Sequence, residues 1–124
     1  MSDIPEPKWL SEVAPHDYEA AFNYLSLKLP EHEVNKAIQR FKKANLVSRR
    51  ANDIPRAGGM QPALLDDPGV EKDIGKLRDG KKLSPVLILE HQNGEDISDG
   101  YHRVSTAYHY SPYADVPLKL VDLK

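Results

Sequence analysis

The sequence predicts an α+β domain: a small mixed sheet packed with helices and preceded by an N-terminal helical hairpin. Three observations carry that prediction. Apolar residues recur at helical spacing in separate stretches along the chain. Pro85-Val86-Leu87-Ile88-Leu89 is the most apolar run, of a length suited to a strand buried on both faces. Asn93-Gly94 marks a hairpin turn, because both residues tolerate positive φ.

Taken in order, residues 1–16 are Pro-rich and read as a lead-in that Trp9 and Leu10 dock onto the body, since a large aromatic near a terminus is usually buried. From Asp17 the pattern turns helical, with Tyr18, Ala21, Phe22, Leu25 and Leu29 forming one apolar stripe. Pro30 interrupts it and suits the first position of a second helix. That helix buries Val34, Ala37, Ile38 and Phe41 and carries Lys36, Arg40 and Lys43 on its far side. Leu46-Val47-Ser48 is a short strand. The stretch from Asp53 to Met60, with Pro55 and the Gly58-Gly59 pair, reads as a long loop outside regular structure, the kind of segment that often carries function.

Asp67 is placed to cap a third helix opened by Pro68, with Val70, Ile74 and Leu77 inside and Gly80 ending it. The apolar strand and the hairpin follow, and the return strand runs from Glu95 to Ser98. A fourth helix spans Tyr101 to Tyr110 with Val104, Ala107 and Tyr108 inward, and Val116 to Val121 closes the sheet. The reading is one domain over 1–124, with 1–45 a helical extension and 46–124 the core.

Composition narrows the function classes. With 124 residues, 40% hydrophobic and 29% charged, the chain is an ordinary globular sequence that buries roughly two thirds of its unfolded surface. It has no cysteine, which excludes disulfides, thiol catalysis and Cys-rich zinc sites. No apolar run approaches the ~20 residues of a membrane span. The opening residues lack the basic and apolar regions of a signal peptide, so a soluble, cytoplasmic protein is expected. The net charge of −2 gives no general attraction to nucleic acid. Lys36, Arg40, Lys42, Lys43, Arg49, Arg50 and Arg56 nevertheless crowd residues 36–56 against the single acid Asp53, a local excess that meets phosphates or is a solvated face.

The chemistry concentrates in Ile97-Ser98-Asp99-Gly100-Tyr101-His102-Arg103, where a strand ends, a glycine turns the chain and a helix starts. First-turn amides lack internal partners and sit at the positive end of the helix dipole. A glycine there admits a close phosphate. Arg103 offers a planar fork for phosphate oxygens, and His102 donates or shuttles a proton near neutral pH. Asp99 is placed to cap the helix, hold a metal or accept a proton. Asp99 and His102 are thus the catalytic candidates. An Arg103 guanidinium turned inward onto a carboxylate would remove the anion site.

The motif Asp99-Gly100-Tyr101-His102-Arg103, followed by Val116-Pro117-Leu118-Lys119-Leu120, resembles the core of the ParB/sulfiredoxin-like superfamily. Sulfiredoxins carry Gly-Cys-His-Arg at this turn, free serine kinases Asp-Gly-His-His-Arg, and ParB proteins a Gly-Glu-Arg-Arg variant. The order of elements matches as well, over about residues 46–123, including the Leu83-Ser84-Pro85-Val86 approach to the strand. The resemblance implies a small stand-alone member of that fold, with nucleotide phosphates (ATP, ADP or CTP, with or without Mg²⁺) held by Gly100, Tyr101, His102 and Arg103. It also implies phosphoryl transfer or nucleotide hydrolysis by positioning and charge neutralisation. Tyr101 stands where sulfiredoxins place their cysteine, which excludes sulfinic-acid reduction. The helix before the sheet offers Lys72, Lys76 and Arg78 in place of the Lys/Ser/Thr set that binds phosphate in these relatives.

Further cofactor-binding candidates are Arg56, in the Gly-rich loop, and Lys82 and Ser84, beside the start of the apolar strand. Asp66-Asp67 is placed to meet Mg²⁺, although a helix cap explains Asp67 alone. Structural roles compete at each position: Arg103 pairs with Asp99 or Asp96, and Tyr108, Tyr110 and Tyr113 belong to the core instead of stacking a base. Two other functions stay open. One is DNA binding or cleavage through residues 36–56. The other is a non-catalytic interaction module that uses the helix pair.

Overall fold

The computed structural model describes residues 3–91 and 94–124. In chain order the elements are α1 (Pro15–Leu25), α2 (Glu31–Lys43), β1 (Val47–Arg50), α3 (Asp53–Ala57), α4 (Pro68–Arg78), β2 (Val86–His91), β3 (Gly94–Asp99), α5 (Tyr101–Tyr110) and β4 (Asp115–Asp122). The fold is α+β. Its four strands lie in the order β1-β4-β2-β3. The outer pairs, β1 with β4 and β2 with β3, are antiparallel, whereas β2 and β4 run parallel with Val86 opposite Leu118 and Leu89 opposite Val121.

The apolar run is central because it feeds two cores. Leu87 and Leu89 point to one face, where they meet Ala21 and Leu25 of α1 and Val34, Ala37, Ile38 and Phe41 of α2. Val86 and Ile88 point to the other and join Ile97, Val104, Ala107, Val116 and Leu118 beneath α5. A strand covered on both sides cannot alternate with polar residues, which explains its unbroken hydrophobicity. Helix α4 packs against α5 through Val70, Ile74 and the Tyr101 ring.

Several boundaries differ from the sequence reading. Helix α1 begins at Pro15, where a missing amide costs no bond, and ends at Leu25. Leu29 therefore lies in the connecting turn, although it still packs on the core. The stretch from Asp53 is not wholly irregular: residues through Ala57 form α3, with Pro55 in its first turn. β1 starts one residue late and takes in Arg49 and Arg50. Trp9 pairs with Leu83 as an isolated bridge and packs on the α5-side core. Leu10 is anchored only through its backbone, its amide donating to the Leu83 carbonyl, while its side chain stays exposed. Tyr108 is half-buried, not interior. Of the hairpin pair, Asn93 lies outside the described residues and Gly94 has φ +119°. Asp67 caps α4 as expected, accepting from the Gly69 amide at 2.8 Å.

Candidate functional site

The turn from β3 into α5 has the form its sequence requires. β3 ends at Asp99, Gly100 takes φ +109°, and α5 starts at Tyr101. No side chain caps this helix, and the first amide to bond back is that of Val104, donating to the Gly100 carbonyl at 3.0 Å. The amides of Tyr101, His102 and Arg103 therefore remain available at the positive end of the dipole. They border a cleft of about 380 Å³ between α4, α5 and the start of α1.

Gly100 does not serve the expected purpose. A Cβ there would come within 2.9 Å of a Val86 methyl and 3.0 Å of Arg103 Nη2. Positive φ and this internal crowding require the glycine, and the space beside its α-carbon is filled by the protein's own side chains. Gly69 plays a second unforeseen part. A Cβ on it would stand 2.5 Å from the His102 ring, so only glycine lets that ring lie on α4.

Arg103 is turned inward. Its Nη2 lies 2.8 Å from Asp99 Oδ2, 3.2 Å from Asp17 Oδ2 and 3.2 Å from the Pro85 carbonyl. The guanidinium thereby ties α1, the approach to β2, the end of β3 and α5 together. This overturns its assignment as a phosphate fork. It also removes Asp99 as an available base and as a helix cap, because that carboxylate holds Arg103 instead. Burial pushes the Asp99 carboxyl above the usual range, with Arg103 pulling it back and Asp17 adding to the rise. His102 is committed as well: its Nε2 stands 3.1 Å from Asp67 Oδ1, the same oxygen that caps α4. Nearly half of the His102 side chain remains exposed toward the cleft.

Tyr101 lines the cleft and sends its hydroxyl to the Gln61 carbonyl at 2.6 Å. The remaining candidates lie elsewhere. Arg56 is exposed on α3 and pairs with Asp53 at 3.3 Å. Lys82 is exposed and does not line the cleft. Ser84 is buried and accepts a hydrogen bond from the Ala14 amide, a structural tie. Asp67 serves cap and histidine rather than a metal, and among the described residues no group of three His, Asp or Glu side chains is placed to hold one.

The basic stretch is dispersed by folding. Lys36 and Arg40 bind carbonyls at the end of β4, Lys42 lies over the Tyr18 ring, and Arg56 is paired. Lys43, Arg49 and Arg50 remain outward, the last over the exposed Tyr113 ring.

The groups that sequence reasoning missed are Asp17, Asp73 and the two lysines of α4. Lys72 and Lys76 line the cleft and make no hydrogen bond or ion pair among the described residues. Asp73, between them, is 5% exposed, and its Oδ2 has no partner. Burial raises the Asp73 carboxyl above its ordinary value, against the pull of Lys76, Arg103, His102 and Lys72. A signal existed for both acids. Asp17 precedes Ala21 and Leu25 by four and eight positions, and Asp73 lies three after Val70 and four before Leu77, so each carboxylate sits on an apolar stripe.

No protein-family model, curated protein or solved structure matches this chain.

Proposed function

We propose that this protein binds a phosphate-bearing ligand, a nucleotide such as ATP, ADP or CTP, in the cleft at the N-terminus of α5. One observation carries the reading. An uncapped helix terminus and two uncommitted ammonium groups, Lys72 and Lys76, line the same cleft of about 380 Å³. Unpaired amides at a helix start attract anions, and nearby lysines add charge and donors. The cleft also falls within the usual range for small-molecule pockets. The resemblance of Asp99-Gly100-Tyr101-His102-Arg103 to the ParB/sulfiredoxin-like phosphate turn supports the same ligand class.

In this reading the roles differ from those suggested by the motif alone. Arg103 and Asp99 position the turn, Lys72 and Lys76 neutralise the phosphates, and the exposed edge of His102 borders them. Phosphoryl transfer or hydrolysis would further need a proton acceptor, and Asp73 is the one carboxyl lining the cleft without a partner among the described residues.

Calorimetry with ATP, ADP, CTP and GTP, with and without Mg²⁺, tests the proposal. Binding weakened at least about tenfold by Lys72→Ala/Lys76→Ala, and falling with added salt, is the expected result. Absence of heat with every nucleotide overturns it. Nucleic-acid binding rests only on exposed Lys43, Arg49 and Arg50 with Tyr113; a gel shift with a steep salt slope would favour it instead.

A further inference from the structure

Two polar side-chain atoms are buried without partners among the described residues: Asp73 Oδ2 and Arg103 Nε. Both residues line the cleft proposed to hold phosphate. Buried orphans are uncommon, because each forfeits its water without a replacement. That two should border one cleft, one an acceptor and the other a donor, constrains what belongs between them.

A phosphate oxygen only accepts. It would satisfy Arg103 Nε but would face the Asp73 carboxyl as an acceptor against an acceptor. An ammonium only donates and would meet the reverse conflict at Arg103. A hydroxyl does both from a single oxygen, donating to one atom and accepting from the other, and it brings no charge into a site that already holds three acids, Asp17, Asp73 and Asp99, together with Arg103, Lys72 and Lys76. Asp73 is well placed to discriminate, since it is almost wholly buried and projects from the middle of α4, a rigid element. The buried carboxyl is held away from its ordinary protonation behaviour by the same desolvation that makes its missing partner costly.

We propose that Asp73 and Arg103 together recognise a hydroxyl group on the phosphate-bearing ligand, Asp73 Oδ2 accepting its hydrogen and Arg103 Nε donating to its oxygen. This rests on the phosphate reading of the cleft. It makes the ligand a hydroxylated phosphate ester, with the hydroxyl on a sugar ring or on an open-chain alcohol.

The test compares matched ligands by calorimetry on the full chain: ATP against 2′-deoxy-ATP and 3′-deoxy-ATP, glycerol 3-phosphate against propyl phosphate, and tripolyphosphate as a hydroxyl-free polyanion. The expected result is binding at least about tenfold weaker for the hydroxyl-lacking member of one pair, the size of effect that follows when buried polar groups are left unpaired. The nucleotide arm identifies a sugar hydroxyl and the glycerol arm an open-chain one. In Asp73→Ala the two members of the discriminating pair should bind alike. Binding of phosphates with no discrimination in either pair by the unmodified protein overturns this inference and leaves the phosphate reading standing. That arm decides the matter even if Asp73→Ala fails to fold. Failure of every probe, tripolyphosphate included, overturns both.

Discussion

The Arg103 guanidinium joins Asp17 across 86 positions of sequence, Nη2 to Oδ2 at 3.2 Å, with both side chains largely shielded from solvent. Asp99 Oδ2 shares the same nitrogen at 2.8 Å. One cation thus compensates two buried acids and closes the space between α1 and α5. Arg103→Ala should therefore cost stability before it affects any ligand, on the order of 3–5 kcal/mol, because it strands two carboxylates. Urea unfolding measures this; a variant of unchanged stability would show that the bridge does not hold the fold.

Gly100 should tolerate no side chain. Its φ of +109° and the 2.9 Å approach of Val86 act independently. Gly100→Ala should lose about 2 kcal/mol or more. Gly100→Ala/Val86→Ala should not recover what the backbone conformation costs, and thermal melts of the single and double variants separate the two contributions.

At Gly69 the obstacle is a side chain, not the backbone. Gly69→Ala should displace the His102 ring from α4, read as a lowered Tm and a shift of the His102 ring resonances. Gly69→Ala/His102→Ala should regain part of the loss, since the clash partner is gone and alanine suits a helix better than glycine does. A double variant no more stable than the single one would place the strain elsewhere.

Asp73 makes stability fall with rising pH. Its carboxyl titrates above the ordinary value of 3.8 in the folded state, so between the unfolded and folded values the native protein holds more protons than the unfolded chain. Stability is then lost as pH rises through that window and stays lost above it. Asp73→Asn should raise stability at neutral pH by on the order of 1 kcal/mol, with the gain shrinking as the pH approaches 3.8. A lower Tm at pH 7 would contradict this. Such a gain is the signature of a group kept for function at the expense of the fold.

Much of the architecture was legible because each element carries a local cause. The stripe Val34, Ala37, Ile38 and Phe41, the Asp67 cap and the span from Tyr101 to Tyr110 all follow from periodicity or capping chemistry within one segment. The helix at Asp53–Ala57 was hidden, since its Pro55 and following glycines resemble a loop when read in sequence. The strand-to-helix corner at Gly100 was readable as well, and so was the pairing of Arg103 with Asp99, four residues apart on adjoining elements.

Which groups at that corner remain available was not readable, because availability depends on partners brought from far along the chain. Asp17 captures Arg103 from α1, Asp67 captures His102 from the cap of α4, and Ala14 occupies Ser84. The folding of α4 against α5 leaves Lys72, Lys76 and Asp73 as the uncommitted groups. Local pattern, being a matter of neighbours within a turn or two, specified the helices, the buried strand and the special glycine. Commitment of charge is a matter of distance in space, and it was settled only when three helices and the end of a strand met around one guanidinium.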